Sequence, residues 1–145
     1  MRLFHYALIP YLPELQFRGQ LRETVAIMRD WRDKGKTNHL LINRVMEYPK
    51  AHLCMYFNKY AEEYESRYGQ RLSQKYYDEF EDFKRPTTIE MPLFYGWHNK
   101  KYLRMNLANL AEKHFFGVGK SRISDEEWER LCEGYKQITG EEYQI

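Results

Sequence analysis

The stretch Pro13-Glu-Leu-Gln-Phe-Arg-Gly-Gln-Leu-Arg-Glu-Thr-Val-Ala-Ile-Met-Arg-Asp-Trp-Arg-Asp-Lys-Gly35 decides the fold class. Proline suits the first position of a helix and glycine suits its C-cap. Between them Phe17, Leu21, Thr24, Met28 and Trp31 recur every three or four residues, the period of one buried helical face. The spacing predicts a single long helix over residues 14–34. Outward from it the punctuation stays helical. Thr37 or Asn38 is placed to cap a second helix through Leu40, Leu41, Val45 and Met46, which must stop before Pro49. Pro49 opens a third, with Leu53, Phe57, Tyr60 and Tyr64 inward and Gly69 at its end. A short acidic helix is expected over 74–83 and a loop over 84–97, with Pro86, Pro92 and Gly96. A basic helix over 98–116 follows, with Tyr102, Leu103, Leu107 and Leu110 inward and Gly117 as its stop. Ser124-Asp-Glu-Glu127 is a capping box for a last helix reaching about Ile138. Alternating Val, Ile and Thr is nearly absent, so the expectation is an all-α, compact single-domain bundle of about five to six helices over residues 1–145.

The 145 residues are 43% hydrophobic and 30% charged, the balance of a globular chain. No apolar run approaches the roughly 20 residues that cross a bilayer. The chain opens on Arg2, aromatics and prolines, so no signal peptide is expected. Cys54 and Cys132 make neither a disulfide framework nor a metal-ligand spacing. The reading is a reduced, cytoplasmic protein with no membrane partner. The net charge of +2 is strongly segregated: +5 over residues 1–60, −3 over 61–90, +5 over 91–122 and −5 over 123–145. Two basic blocks separated by an acidic one fit a polyanion on one face, although solvated charge alone also produces such blocks. Aromatic content of 17% adds rings that could stack on bases, most of which must be core.

Within the first helix, Arg18 and Arg22 lie one turn apart and Arg29 continues their side. Glu23 has Gly19 one turn before it and Ala26 nearly a turn after. Glycine inside a helix costs about 1 kcal/mol relative to alanine, so something must offset it. Either Gly19 and Ala26 leave a bare patch where a backbone or sugar approaches Glu23, or Gly19 marks a tight helix crossing. Spacing alone favours the crossing.

The opening Met1-Arg-Leu-Phe-His5, then Leu8-Ile-Pro10 and Gly19-Gln-Leu-Arg-Glu23, resembles the pyrimidine-dimer DNA glycosylase family of the phage endonuclease V type, most closely its short bacterial members. Weaker similarity continues through His52-Leu-Cys-Met-Tyr-Phe57 and from Trp97-His-Asn99 to Asn109-Leu-Ala-Glu-Lys113. The resemblance implies a helical repair enzyme acting on damaged double-stranded DNA as a monomer, without cofactor or metal. Its nucleophile would be the α-amino group of the first residue, which forms a Schiff base with the sugar, expels the base and permits β-elimination at the abasic site. The family's essential glutamate falls on Glu23 and the arginine before it on Arg22, giving Met1, Glu23 and Arg22 as catalytic residues. Phage members expose a threonine amine after losing methionine; Arg2 is too bulky for that removal, so the amine is expected on Met1. A further helix arginine of the phage pattern falls near Ala26 or Ile27 and is missing, with Arg18 or Arg29 as substitutes.

DNA contacts are expected from Arg2, Gln16, Arg18, Gln20 and Arg29, and from His98, Lys100, Lys101 and Arg104 in the second basic block. Tyr95, Trp97, Phe115 and Phe116 are candidate base contacts. The five histidines lack ligand spacing, so zinc is not expected. Gly117-Val-Gly-Lys120 is too short for a phosphate loop. Two rival readings remain: a non-catalytic helical nucleic-acid-binding protein with a basic face, and an interaction protein whose acidic blocks take a basic partner.

Overall fold

The computed structural model describes residues 2–84 and 92–145; Met1 and the part of the expected loop that holds Pro86 lie outside them. The fold is all-α. Five α-helices, α1 (Glu14–Lys34), α2 (Lys50–Tyr68), α3 (Gln74–Glu79), α4 (Lys100–Phe115) and α5 (Asp125–Thr139), are joined by short 3-10 turns, with no strand among the described residues. The helix α1 has the bounds that its proline and glycine predict, and Gly35 takes a left-handed φ of 73° beyond it. The capping box on α5 is complete: the Ser124 hydroxyl accepts from the Glu127 N–H, while the Glu127 carboxylate accepts from the Ser124 N–H. Among the described residues no helix is long and apolar enough to cross a membrane.

The chain divides into two compact units. The first holds Gly19–Tyr95 with residues 2 and 3. Its core joins Leu21, Val25, Ile27 and Met28 of α1 to Leu53, Tyr56, Phe57 and Tyr60 of α2, all buried. Phe80 and Phe83 close one side, Phe80 against Phe57 and Phe83 edge-on to Trp31. His52 on α2 accepts the backbone N–H of Phe94 through Nδ1 at 3.0 Å. That bond holds Phe94 in the left-handed region, φ 53°, where a large side chain rarely sits unaided.

The second unit holds Phe4–Arg18 and Gly96–Ile145. A 3-10 turn over Tyr6–Tyr11 packs on α5, and Gly134 makes this possible. A Cβ at that position would come within 2.5 Å of the Tyr11 ring. Leu103, Leu107 and Leu110 of α4 face the core with Leu131 and Tyr135 of α5. Side chains accept the backbone donors of residues 5–7, and one of them, Asn106, lies on α4. Asn106 Oδ1 takes the His5 N–H at 2.7 Å, and His98 Nδ1 takes the Tyr6 N–H at 3.1 Å. His5 Nδ1 takes the Ala7 N–H at 3.1 Å.

Several expectations need correction. The second helix does not form across Leu40 and Leu41; a 3-10 turn over Ile42–Glu47 stands there, because Thr37 and Asn43 bond to each other and close the preceding loop on itself. The acidic helix ends at Glu79 and resumes as a 3-10 turn from Glu81, where Phe80 and Phe83 must both reach the core. The basic helix starts at Lys100, because the Asn99 side chain caps it by accepting the Tyr102 N–H. The turn over Tyr6–Tyr11 is not legible in the sequence, since Pro10 masks its pattern.

Burial holds His5 and His98 neutral. Desolvation lowers His5 to about 4, and desolvation with repulsion from His5 lowers His98 to about 2. The unfolded chain therefore takes up protons below pH 6.5 that the folded chain excludes. Stability is complete above pH 6.5 and declines as the pH falls towards 4, with a slope of up to about 1.4 kcal/mol per pH unit for each histidine. Urea midpoints measured from pH 7.5 to 4.5 should drop accordingly. His98→Asn retains an acceptor for the Tyr6 N–H and should flatten the decline; parallel curves would mean that His98 is not held neutral.

Candidate active site

Glu23 is half-buried on α1 in the first unit, and its setting begins in the core. Gln20, one turn earlier, lies on the buried face of the helix with 3% of its surface exposed. A buried amide must satisfy both its ends. Its Nε2 donates to Glu23 Oε2 at 2.8 Å, and its Oε1 accepts from the Tyr56 hydroxyl at a long 3.4 Å. The Tyr56 hydroxyl lies 3.3 Å from that of Tyr60. A line of polar groups thus runs from the core of α2 to a carboxylate at the surface of α1. It fixes one oxygen of Glu23, and the other has no hydrogen-bond partner among the described residues.

Around that carboxylate the helix is bare. A Cβ at Gly19 would meet nothing within 4 Å, and Ala26 is exposed. Gly19 therefore does not mark a tight helix crossing; it leaves the open patch. Arg22 is exposed, with no hydrogen-bond or ion-pair partner among the described residues. It borders a cavity of about 330 Å³ lined also by Leu21, Val25, Arg29, Leu72 and Tyr76. A cation that no carboxylate neutralises is available to a phosphate.

The other cations on α1 are differently placed. Arg29 makes a bidentate pair with Glu79 at 2.8 and 3.0 Å, and Arg32 shares the same carboxylate. Glu79 holds Arg29 further above its ordinary pKa and is itself drawn below the usual carboxylate range. Arg18 pairs with Glu14 at 3.1 Å, both exposed. Arg2 is exposed at the surface.

In the second unit, Gln16 and His98 are buried, so neither side chain faces solvent as a phosphate contact would require. His98 instead joins a stack with His5, Tyr6 and Tyr102 that anchors residues 5–7. Lys100 pairs with Glu141 at 2.6 Å. Arg104 is taken by the Tyr135 hydroxyl and the Gln144 carbonyl and lies over the Tyr143 ring. Lys101 is exposed without an ion-pair partner among the described residues. Of the aromatic candidates, Phe116 is 81% exposed, Phe115 and Tyr95 are about half exposed, and Trp97 packs edge-on to His98. Sequence reading missed Tyr56 and Asn106, which look like ordinary core and helix positions until their partners, 36 and 101 residues away, are seen.

A family model described as pyrimidine dimer DNA glycosylase matches residues 1–76, 76 of the 145 residues, including Glu23, Arg22 and the tyrosine-bearing part of α2. No curated protein and no solved structure matches. With more than half of the sequence matched, the motif residues of α1 included, the chain belongs to the pyrimidine dimer DNA glycosylase family, whose members are DNA repair glycosylases.

Proposed function

We propose that this protein breaks the glycosidic bond of one pyrimidine of a dimer in duplex DNA and then cleaves the strand at the resulting abasic sugar, using the α-amino group of Met1 as nucleophile and Glu23 as its acid–base and electrostatic partner. The observation that carries the reading is the hydrogen bond from buried Gln20, which orients Glu23 on a bare helical patch beside exposed Arg22. An α-amino group has a pKa of about 7.7–8.0 against about 10.4 for lysine, so its neutral, nucleophilic fraction near pH 7 is a few hundredfold larger.

The neutral amine attacks the sugar carbon that bears the base. The nitrogen–carbon bond forms, the glycosidic bond breaks, and its electron pair goes to the base, which is protonated and stays tethered to the strand through its dimer partner. Opening of the sugar ring gives a cationic imine, and the ring oxygen takes up a proton. The fixed carboxylate of Glu23 faces that positive charge and stabilises it. Glu23 then removes a proton from the carbon next to the imine. The electrons form the new double bond and the 3′ phosphate leaves, which completes β-elimination. Arg22 holds a phosphate flanking the lesion and fixes the register of the strand. Because the sugar carbon is shielded in a stacked duplex, the damaged site must be distorted before attack.

Borohydride reduction on a duplex with one thymine dimer, and on one with an abasic site, tests the reading. An adduct that peptide mapping places on residue 1 is expected, and an added N-terminal extension should abolish it. An adduct on a lysine, or none, would contradict the mechanism; DNA binding without any adduct would favour the non-catalytic rival. Glu23→Gln keeps shape and hydrogen bonding but removes the charge. Cleavage should fall at least about a hundredfold with DNA binding retained.

The arginines separate by their partners. Arg22→Ala should weaken DNA binding and reduce the slope of log affinity against log salt by about one, the change expected when one phosphate is no longer neutralised. Arg29→Ala should change the slope less, since its charge is matched by Glu79. Equal effects from both, read by fluorescence anisotropy across salt, would show that the Glu79 pair opens on binding.

A further inference from the structure

The loop between α1 and α2 is built to display two leucines. From Lys34 to Arg44 the sequence Lys-Gly-Lys-Thr-Asn-His-Leu-Leu-Ile-Asn-Arg holds three Lys and Arg residues with one histidine and no carboxylate. Leu40 is 88% exposed and Leu41 81%, the largest exposures of any leucine in the described residues. Neighbouring Ile42 and Val45 are fully buried, so the turn has a core to which the leucines do not contribute.

The backbone around them is closed by its own hydrogen bonds. Thr37 is buried, and both its N–H and its hydroxyl donate to Asn43 Oδ1 at 2.8 Å. Asn43 Nδ2 returns a bond to the Thr37 carbonyl at 3.2 Å. The His39 N–H donates to the Thr37 hydroxyl oxygen, and the His39 carbonyl accepts from Ile42 and Asn43. With Thr37 and Asn43 locked together and Ile42 inward, Leu40 and Leu41 have no route to the core without breaking this ring. Two exposed leucines on a loop fixed by these hydrogen bonds are an ordered apolar tip, not a frayed segment.

The charge around the tip selects its partner. Lys36 has no ion-pair partner among the described residues. Lys34 meets Asp30 at 3.6 Å and Arg44 meets Glu47 at 3.8 Å across exposed surface, contacts that water and salt screen. An apolar wedge between cations complements duplex DNA, where stacked bases lie between two rails of phosphate. Leucine inserted at a base step unstacks it and kinks the duplex, which an enzyme acting on a shielded sugar requires.

We propose that the Lys34–Arg44 loop is a DNA-binding element in which Leu40 and Leu41 insert at a base step while Lys36 takes an adjacent phosphate. The proposal rests on the DNA-repair reading above. It adds a distorting wedge separate from the catalytic face of α1.

The test uses the full chain and a duplex of about 25 base pairs, long enough to span a typical protein footprint, that carries one thymine dimer, with 2-aminopurine placed beside it to fluoresce on unstacking. Wild-type protein should raise the fluorescence and cleave the strand. Leu40→Ser/Leu41→Ser should keep the wild-type circular dichroism and melting temperature, because neither leucine is buried. It should lose most of the fluorescence rise and bind at least about tenfold more weakly, the scale of one inserted side chain. Its salt slope should stay unchanged, since every phosphate remains held. Leu40→Met/Leu41→Met should restore the rise, and Lys36→Ala should lower the salt slope by about one. Wild-type fluorescence and affinity in the double-serine variant would overturn the wedge and leave the repair reading intact. A dimer in sedimentation that the double-serine variant abolishes, with DNA binding unchanged, would overturn it in favour of a contact between copies of the chain. No binding or cleavage by the wild-type protein would defeat the repair reading itself, and the wedge with it.

Discussion

A buried amide with an unsatisfied end is costly, and Gln20 sits among the apolar side chains of α1 and α2. Its two ends face in opposite senses: the carbonyl towards Tyr56 in the core, the amino group towards Glu23 at the surface. The tyrosine hydroxyl can either donate or accept, whereas a carboxylate only accepts, so it is Glu23 that requires the donor end of the amide to face outward, three positions along the helix. The buried amide, itself held by Tyr56 of α2, thereby orients the carboxylate of Glu23. In the proposed mechanism the bare surface at Gly19, a residue that costs helix stability, is what lets a nucleic-acid backbone reach that carboxylate.

The second unit applies the same device to the backbone. Three successive N–H groups, those of His5, Tyr6 and Ala7, would otherwise lie unsatisfied at the start of a 3-10 turn. Asn106, His98 and His5 accept them, so that the segment is held by side chains of fixed geometry. Histidines perform this role while neutral, because Nδ1 accepts a hydrogen bond only when it carries no proton. Burial supplies that neutrality. The arrangement explains why His5 and His98 serve as anchors, and why His98, close to Lys100 and Lys101 in sequence, is not a phosphate contact.

What was legible in the sequence was local. Pro13 and Gly35 bound α1 because both act through their own backbone, and the Ser124–Glu127 box acts across three residues. The Gly-Gln-Leu-Arg-Glu motif names a candidate site from the sequence because its members share one helix. What was illegible depends on partners distant in sequence. Nothing local shows that Arg29 meets Glu79, 50 residues away, or that Lys100 meets Glu141, so both looked like open phosphate contacts. The helix expected through Leu40 and Leu41 failed for a related reason. Helical spacing counts apolar residues without seeing that Thr37 and Asn43 would bind each other and turn two of those residues outward.

The claim on which the account turns is that Glu23 works because Gln20 holds it. Gln20→Met removes both hydrogen bonds at nearly constant volume, and single-turnover strand cleavage on a dimer-containing duplex, measured beside DNA affinity, isolates the consequence. The account predicts cleavage at least about tenfold slower with affinity within about twofold of wild type, since the lost orientation affects the reacting geometry and not phosphate binding. Cleavage at the wild-type rate in a folded Gln20→Met protein would contradict it, and would show Glu23 to be a carboxylate that needs no support from the core.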